Sequence, residues 1–323
     1  MARRAPARSA GGAASSESRT LLVRAARMYY LEHATQAEIA TTLGTSRPTV
    51  SRLLADARAA GIVRIEIHDD PPDASGELAA RLQERLSLRG VHLGPDAQSP
   101  YLGQALGPGV AAALKEASLT SGDVLLVSSG ATIYEVAQHE LPSLPGVVVA
   151  PTVGGVDEPE AYYQTNELAR SIAARINGIP QFLYAPAMPS EALYPALMED
   201  PFINRVTSHW ADAGAALLGI GAPPVTRSST PAWFPHDSAL LHQAVGDICE
   251  RPYAADGPPL SVPGTERLIA MDLHHQRSVP HTIGVAVGAV KIPSILAAVR
   301  AGYVNPLVTD VSTARLLCEA EEP

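Results

Sequence analysis

Residues 35–64, TQAEIATTLGTSRPTVSRLLADARAAGIVR, leave this chain little freedom in how its N-terminal part can fold. Thr35-Gln36-Ala37-Glu38 has the form of a capping box, a hydroxyl at the N-cap and a carboxylate three residues on. Ile39, Ala40 and Leu43 then give a short helix one apolar face, and Gly44 suits the left-handed conformation that ends a helix. Ser46 is an N-cap for a second helix, and Pro48 is tolerated in its first turn, where no intrahelical N–H is lost. Val50, Leu53, Leu54 and Ala57 recur on one side at helical spacing. The opposite side shows Pro48, Ser51, Arg52 and Ala55, with Arg47 and Thr49 near the N-terminal tip. Gly61 closes the helix, and the stretch from Ile62 through Arg64 and Ile65 to His68 alternates as the strand of a wing would. Upstream, Arg19–Glu32 reads as a first helix with Leu22, Ala26, Tyr29 and Tyr30 for the core.

This pattern fits either a small helical hairpin of an ordinary core or a winged helix-turn-helix, which places its second helix in the DNA major groove. Charge separates the two. Residues 1–64 carry ten arginines against four acidic residues, which leaves 14 of the chain's 24 basic and 29 of its 33 acidic residues for the rest. A basic end on an acidic body is the signature of a DNA-binding module on a separate sensing domain. Arg47, Thr49, Ser51 and Arg52 are the candidates for base and backbone contact, since arginine bonds phosphate or the O6/N7 edge of guanine. Thr35, Gln36 and Ser46, at helix N-termini, complete the candidate DNA-binding set. The expected partner is double-stranded DNA.

The chain is long enough for one small and one large domain. No run approaches the roughly 18 apolar residues of a membrane helix. The start, MARRAPARSAGGAASSES, lacks the apolar core of a secretory signal and reads as a disordered basic tail over residues 1–18, with a transit peptide as the alternative. Two cysteines, Cys249 and Cys318, at no metal or redox spacing, suit a reducing cytoplasm. The domain reading is a tail at 1–18, the winged helix-turn-helix at 19–68, a linker at 69–76 rich in Asp and Pro, and a second domain at 77–323. Glu77–Leu88, with Leu78, Leu82 and Leu86 on one face, opens that domain or pairs with a partner subunit.

Beyond it, short apolar runs alternate with helical ones. The expected strands are Val91–Leu93, Val124–Val127, Val147–Pro151, Gln181–Tyr184, Ala215–Ile220, Leu268–Leu273, Thr282–Val287 and Pro306–Thr309, with helices at Tyr163–Ile176, Ile292–Ala301 and from Val311. That alternation implies an α/β fold, a Rossmann-like, mostly parallel sheet with helices on both faces. Ligands of such sheets bind at the carboxyl ends of strands. There the chain places Ser129-Gly130-Ala131-Thr132, Gly154-Gly155, Gly221, Gly288-Ala289-Val290-Lys291 and the N-cap candidate Asp310. Hydroxyls and N–H groups at the first loop suit an anionic group. Lys291, one of only two lysines with Lys115, is placed to pair with a phosphate. Asn166, opening a helix that faces the glycine loop, is a candidate for sugar hydroxyls.

Other constellations carry less. His274, His275 and His281 are close in sequence, but adjacent strand residues point to opposite faces, and no metal-ligand spacing completes them. There is no G-x-S-x-G elbow. Asp157, Glu158 and Glu160 read as a solvated acidic loop, and Ala222–Leu240, with its Pro-Ala-Trp-Phe-Pro run, as a surface excursion or a ligand-covering loop. Neither a cofactor nor a metal is implied.

The run ARMYYLEHATQAEIATTLGTSRPTVSRLLADARAAGIVRI resembles the N-terminal domain of SorC-type bacterial sugar-binding transcriptional regulators. SSGATIYEVA, VVVAPTVGG, ARSIAARINGIPQFLYAPA, GAALLGIGAP, GDICERPYAADG and GVAVGAVKIPSILAAVRAGYVNPLVTDVSTARLL resemble that family's effector domain, in order, and the two resemblances together cover nearly everything from about Arg19 onward. The resemblance implies an effector domain similar to sugar-phosphate isomerases and deaminases of the glucosamine-6-phosphate deaminase type. It implies a sugar, sugar-phosphate or polyol effector, and a homo-oligomer, dimer or tetramer, that most often represses a carbohydrate operon. Ser129, Gly130, Ala131 and Thr132 match the family's phosphate loop, and Gly154 and Gly155 its second glycine loop. Asp247 matches the acid that meets sugar hydroxyls, and Lys291 the lysine that meets phosphate. The chain departs from the pattern at Gly288-Ala289-Val290, where the family often has Gly-Gly, at Ser128, where it has glycine, and after Ile248, where an aromatic and an acid usually follow. These departures bear on which ligand is bound and whether it is phosphorylated. The competing reading is a sugar-phosphate isomerase or deaminase with an accessory DNA-binding domain. It needs a general base at the sugar carbon, and Asp247 alone is available for that role.

Overall fold

The computed structural model describes residues 11–31, 34–63, 72–156, 160–226 and 238–320. The chain divides into two compact units, Met1–Asp70 and Pro71–Pro323.

In the first unit α1 (Gly11–Tyr30), α2 (Gln36–Leu43) and α3 (Arg47–Ala59) pack on one another. Ala25, Ile39, Ala40, Val50 and Leu54 form the core, with Met28, Tyr30, Leu43 and Leu53 against it. Tyr29, expected in that core, is exposed. The helix α1 starts ahead of Arg19, inside the stretch read as a tail. The capping box at Thr35 forms in full, and Gly44 ends α2 at φ 63°, ψ 35°. The expected wing strand from Arg64 to His68 lies outside the described residues.

The second unit opens with α4 (Pro72–Leu86), five residues earlier than expected, so the linker reading of 69–76 overlaps the helix. There follow β1 (Val91–Gly94), α5 (Leu102–Glu116), β2 (Val124–Val127), α6 (Ala131–Val136), β3 (Val148–Pro151), α7 (Thr165–Ile176) and β4 (Ile179–Pro180). The helices α8 (Tyr194–Glu199), α9 (Pro201–Thr207) and α10 (His209–Asp212) lead to β5 (Ala215–Gly219) and the hairpin β6 (Ala244–Ile248)–β7 (Arg251–Ala254). The chain ends with α11 (Leu273–Gln276), β8 (His281–Val285), α12 (Ile292–Arg300), β9 (Leu307–Asp310) and α13 (Val311–Glu319).

Seven strands make one parallel sheet in the order β1-β9-β8-β5-β2-β3-β4. Period-two alternation sorts its side chains. Leu125, Val127, Val149, Leu217, Ile283, Val285 and Val308 face one layer with Leu106, Val110 and Leu114 of α5, Ile133 of α6 and Leu168 and Ile172 of α7. Val124, Leu126, Ala150, Ala216, Leu218 and Leu307 face the other, with Leu82 of α4, Ile203 of α9, Ile295 of α12, Leu317 of α13 and Tyr253 of the hairpin. Strands buried on both faces explain why the sequence reads there as unbroken apolar runs.

Two expected strands do not form. Gln181–Tyr184 leaves the ladder, because the Asn166 side chain satisfies the backbone of Leu183 at both N–H (2.9 Å) and C=O (3.2 Å). Leu268–Leu273 keeps only an isolated bridge from Ala270 to Val153, since the Arg251 guanidinium takes the carbonyls of Leu268, Ala270 and Met271. His274 and His275 therefore sit on a one-turn helix capped by Asp272, not on a strand.

Candidate functional site

The first site is the outer face of α3. Arg47, Pro48, Thr49, Ser51, Arg52 and Ala55 are exposed, while Val50, Leu54 and Ala57 are buried on the opposite side. Small side chains between two arginines allow close approach to a groove wall. The hydroxyls at the helix starts are engaged in capping. Ser46 Oγ accepts from Thr49 N–H and shares a 2.8 Å bond with Thr49 Oγ1. Thr35 Oγ1 donates to Glu38 at 2.8 Å and accepts from its N–H, and the Thr35 N–H also donates to that carboxylate. Those bonds hold the Glu38 pKa below the usual carboxylate range, so a negative charge stands beside Thr35. Gln36, the next residue expected to meet phosphate, is half-buried.

The second site follows from the strand order. After β2 the chain moves outward to β3 and β4, then returns to lay β5 on the other side of β2 and continues to β8 and β9. A crevice opens outside the carboxyl ends of strands at such a reversal. A cleft of about 260 Å³ lies there, lined by Ser129, Gly130, Ala131 and Thr132 after β2, Gly219–Ala222 after β5, Asp247, Cys249 and Glu250 of the hairpin, Lys291 after β8, and Tyr162 and Ile133.

Local structure fixes each wall. Gly130 sits at φ 124°, ψ 147°, a conformation open to glycine alone, and this turn starts α6 directly after β2. Ser128 is buried, and its hydroxyl ties the turn to β5, accepting from Gly219 N–H at 2.8 Å and donating to the Ser129 carbonyl at 3.0 Å. Lys291 reaches the cleft from a short 3-10 turn, Ala289–Lys291, ahead of α12. Asp247 is buried, and its backbone carbonyl accepts from Gly221 N–H at 2.9 Å, which locks the hairpin to the β5 loop. Burial pushes the Cys249 thiol up to about 12.

Six of the nine residues singled out for a ligand line this cleft: Ser129, Gly130, Ala131, Thr132, Asp247 and Lys291. Three lie elsewhere. Gly154 and Gly155 spend their N–H groups on the carbonyls of Ile269 and Ala185, and a Cβ on Gly154 would meet Ala185 O at 2.6 Å, so Gly154 permits close backbone packing. Asn166 is committed to Leu183. Sequence reasoning missed Tyr162, Cys249 and Glu250. The hairpin that carries the last two is short and interrupted by Gly246 and Pro252, so no periodic signal marks it. Asp310 caps α13 as expected, accepting from Thr313 N–H at 2.8 Å.

Among the described residues no helix is long and apolar enough to cross a membrane. Residues 19–70 match the model of the Crp-like helix-turn-helix domain, and residues 70–319 match a family described as "Putative sugar-binding domain". The chain is 32% identical over 308 residues, 93% of its length and 98% of the relative's, to the deoxyribonucleoside regulator of Bacillus subtilis strain 168. It is 29% identical to the sorbitol operon regulator of Klebsiella pneumoniae, over 94% of this chain and 99% of that one. The crystal structure of the full-length sorbitol operon regulator SorC from that organism superposes with a TM-score of 0.70, covering 93% of this chain and 98% of the other. These relatives are regulators rather than isomerases or deaminases, and with a helix-turn-helix unit, a matching sugar-binding domain and a cleft at the sheet's reversal point, the chain belongs to the SorC-type family of sugar-binding transcriptional regulators.

Proposed function

We propose that this regulator is a cytoplasmic repressor of a carbohydrate operon, released from its operator by a sugar-like effector held in the strand-end cleft. The observation that carries the reading is the convergence of Asp247, Lys291 and the Ser129–Thr132 loop on one cleft at the sheet's reversal point. Acceptors, a cation and hydroxyls at close quarters are the polar set that orients a polyhydroxylated molecule. Arg47, Thr49, Ser51 and Arg52 on the exposed face of α3 would contact DNA, with Gln36 and the capped Ser46 and Thr35 near the phosphates. A dimer or tetramer would present two such helices to half-sites one or more helical turns apart. The effector acts by binding one quaternary arrangement better than the other, since equal affinity for both would shift nothing.

The test is operator release. Genomic fragments selected by the protein are titrated in a mobility-shift assay with free and phosphorylated sugars and polyols. A compound that releases the wild type should fail to release Lys291→Ala, whose DNA affinity without compound stays unchanged. A normal response from that variant removes Lys291 from the effector site.

A further inference from the structure

The hairpin that brings Asp247 to the cleft is irregular. Ala244 pairs with Ala254 across β6 and β7, but Gly246 already pairs with Tyr253, so Val245 is an extra residue in β6. A bulge of this kind re-aims the side chains that follow it, and Asp247 follows by two residues. The Val245 carbonyl accepts a hydrogen bond from the Ser294 hydroxyl. Ser294 is fully buried in the first turn of α12, whose N-cap is Lys291. The contact is made from both strands of the hairpin. Tyr253 of β7, also fully buried, donates its hydroxyl to the Ser294 carbonyl at 3.0 Å. Gly246 of β6 lies so near that a Cβ there would come 2.7 Å from the Ser294 Cβ. Ahead of Lys291, Gly288 N–H donates to the Thr313 hydroxyl at 2.8 Å, so the segment that carries the lysine is held at both ends.

We infer that Ser294 is a positioning residue of the cleft. Its hydroxyl joins the helix that begins at Lys291 to the bulge that aims Asp247, and so sets where these two side chains stand relative to one another. Its part in binding rests on the reading above that the cleft holds the effector. Ser294 does not line the cleft itself, whereas Asp247 and Lys291 do. The tie acts on backbone, so it holds whichever groups the two side chains meet. Alanine at position 294 would take the donor from a buried carbonyl, and a buried polar group that loses its partner is costly to leave in place. The bulge and α12 would then shift apart to recover a hydrogen bond. A site that grips one molecule through several polar groups tolerates such a shift only to about 0.5 Å.

Lys115 and Lys291 are the chain's only lysines, so full-length protein labelled with carbon-13 at lysine Cε gives two side-chain NMR signals, assigned with Lys115→Arg and Lys291→Arg. Without any ligand, Ser294→Ala should move the Lys291 signal and leave that of Lys115. Tyr253→Phe keeps the packed ring, guards against a folding defect in the first variant and should move the same signal by less. Calorimetry then uses four probes: sorbitol, sorbitol 6-phosphate, 2-deoxyribose and 2-deoxyribose 5-phosphate. For the tightest of them Ser294→Ala should weaken binding about three- to tenfold, but by less than about twofold where Lys291 is already alanine, as expected of residues that act through one another. A Lys291 signal unmoved in both variants, or an equal loss of affinity in both backgrounds, would leave Ser294 a stabilising residue only and overturn the proposal while the cleft's role stands. Should none of the four probes bind, the Lys291 signal decides alone. If Lys291→Ala and Asp247→Asn each bind the probe as tightly as the wild type, the effector does not sit in this cleft and the proposal falls with that reading.

Discussion

At position 52 a single side chain separates reading from mere attraction. Arg52 is exposed on α3 opposite Val50 and Leu54, where a groove-bound helix meets base edges. Arg52→Ala should weaken operator binding by about 1–3 kcal/mol and relax preference at one base position. A uniform loss across unrelated sequences, read by competition titration, would instead mark a phosphate contact. Cys249 gives a second residue-scale prediction. Burial raises its pKa from 9.0 to about 12, so the folded protein holds the thiol proton where the unfolded chain releases it. Its contribution is therefore complete below pH 9 and lost as pH rises from 9 toward 12, at up to about 1.4 kcal/mol per pH unit. Urea titrations of wild type and Cys249→Ala should show the wild type's advantage shrinking across that window; parallel stability curves would contradict the assignment. Little at this scale is legible in sequence. Lys291 is suggested by its rarity and its strand-end position and Asp247 by the family resemblance, whereas Glu250 enters the cleft only because a hairpin turn delivers it.

Elements were legible wherever the signal was local. The capping box at Thr35, the left-handed Gly44, the Ser46 cap and the Asp310 cap are each decided within about four residues, and each forms. Buried parallel strands such as Val124–Val127 announce themselves by apolar runs. Elements that depend on distant partners did not. The Gln181–Tyr184 and Leu268–Leu273 runs have strand composition, but Asn166 and Arg251 claim their backbone groups from far along the chain. Gly154 and Asn166 lie outside the cleft for the same reason, since a strand-end glycine and a helix-start asparagine look alike whether they meet a ligand or another loop. Their roles now separate experimentally. Gly154→Ala drives a Cβ to 2.6 Å from Ala185 O and 2.8 Å from Ala187 N, both backbone atoms that cannot swing aside. It should cost about 1–3 kcal/mol, measured as a lower melting temperature, with ligand affinity per folded molecule unchanged. An unchanged melting temperature with lost ligand binding would return Gly154 to the effector site.

At the scale of the whole molecule, the division of charge matters more than any element. The basic residues of the N-terminal unit are set against an acidic remainder, and the chain's net charge is −9. An acidic body lowers indiscriminate attraction to nucleic acid, so affinity is concentrated on the helix-turn-helix face. Each phosphate neutralised there releases counterions, and the logarithm of the binding constant should fall with the logarithm of salt by about 0.9 per contact. The sensing unit enters through linkage. If an effector lowers DNA affinity by some factor, DNA must lower effector affinity by that same factor, whatever structural route joins the two sites. The compound that releases the operator in the mobility-shift assay can therefore be titrated by calorimetry against the free protein and against the protein saturated with operator. The ratio of the two dissociation constants should equal the ratio of operator affinities with and without saturating compound. Equal ratios would establish that cleft and recognition helix report on one equilibrium. Release that keeps growing as more compound is added, with no limiting ratio, would mean that the compound competes for DNA contacts directly, and the cleft would then have no part in regulation.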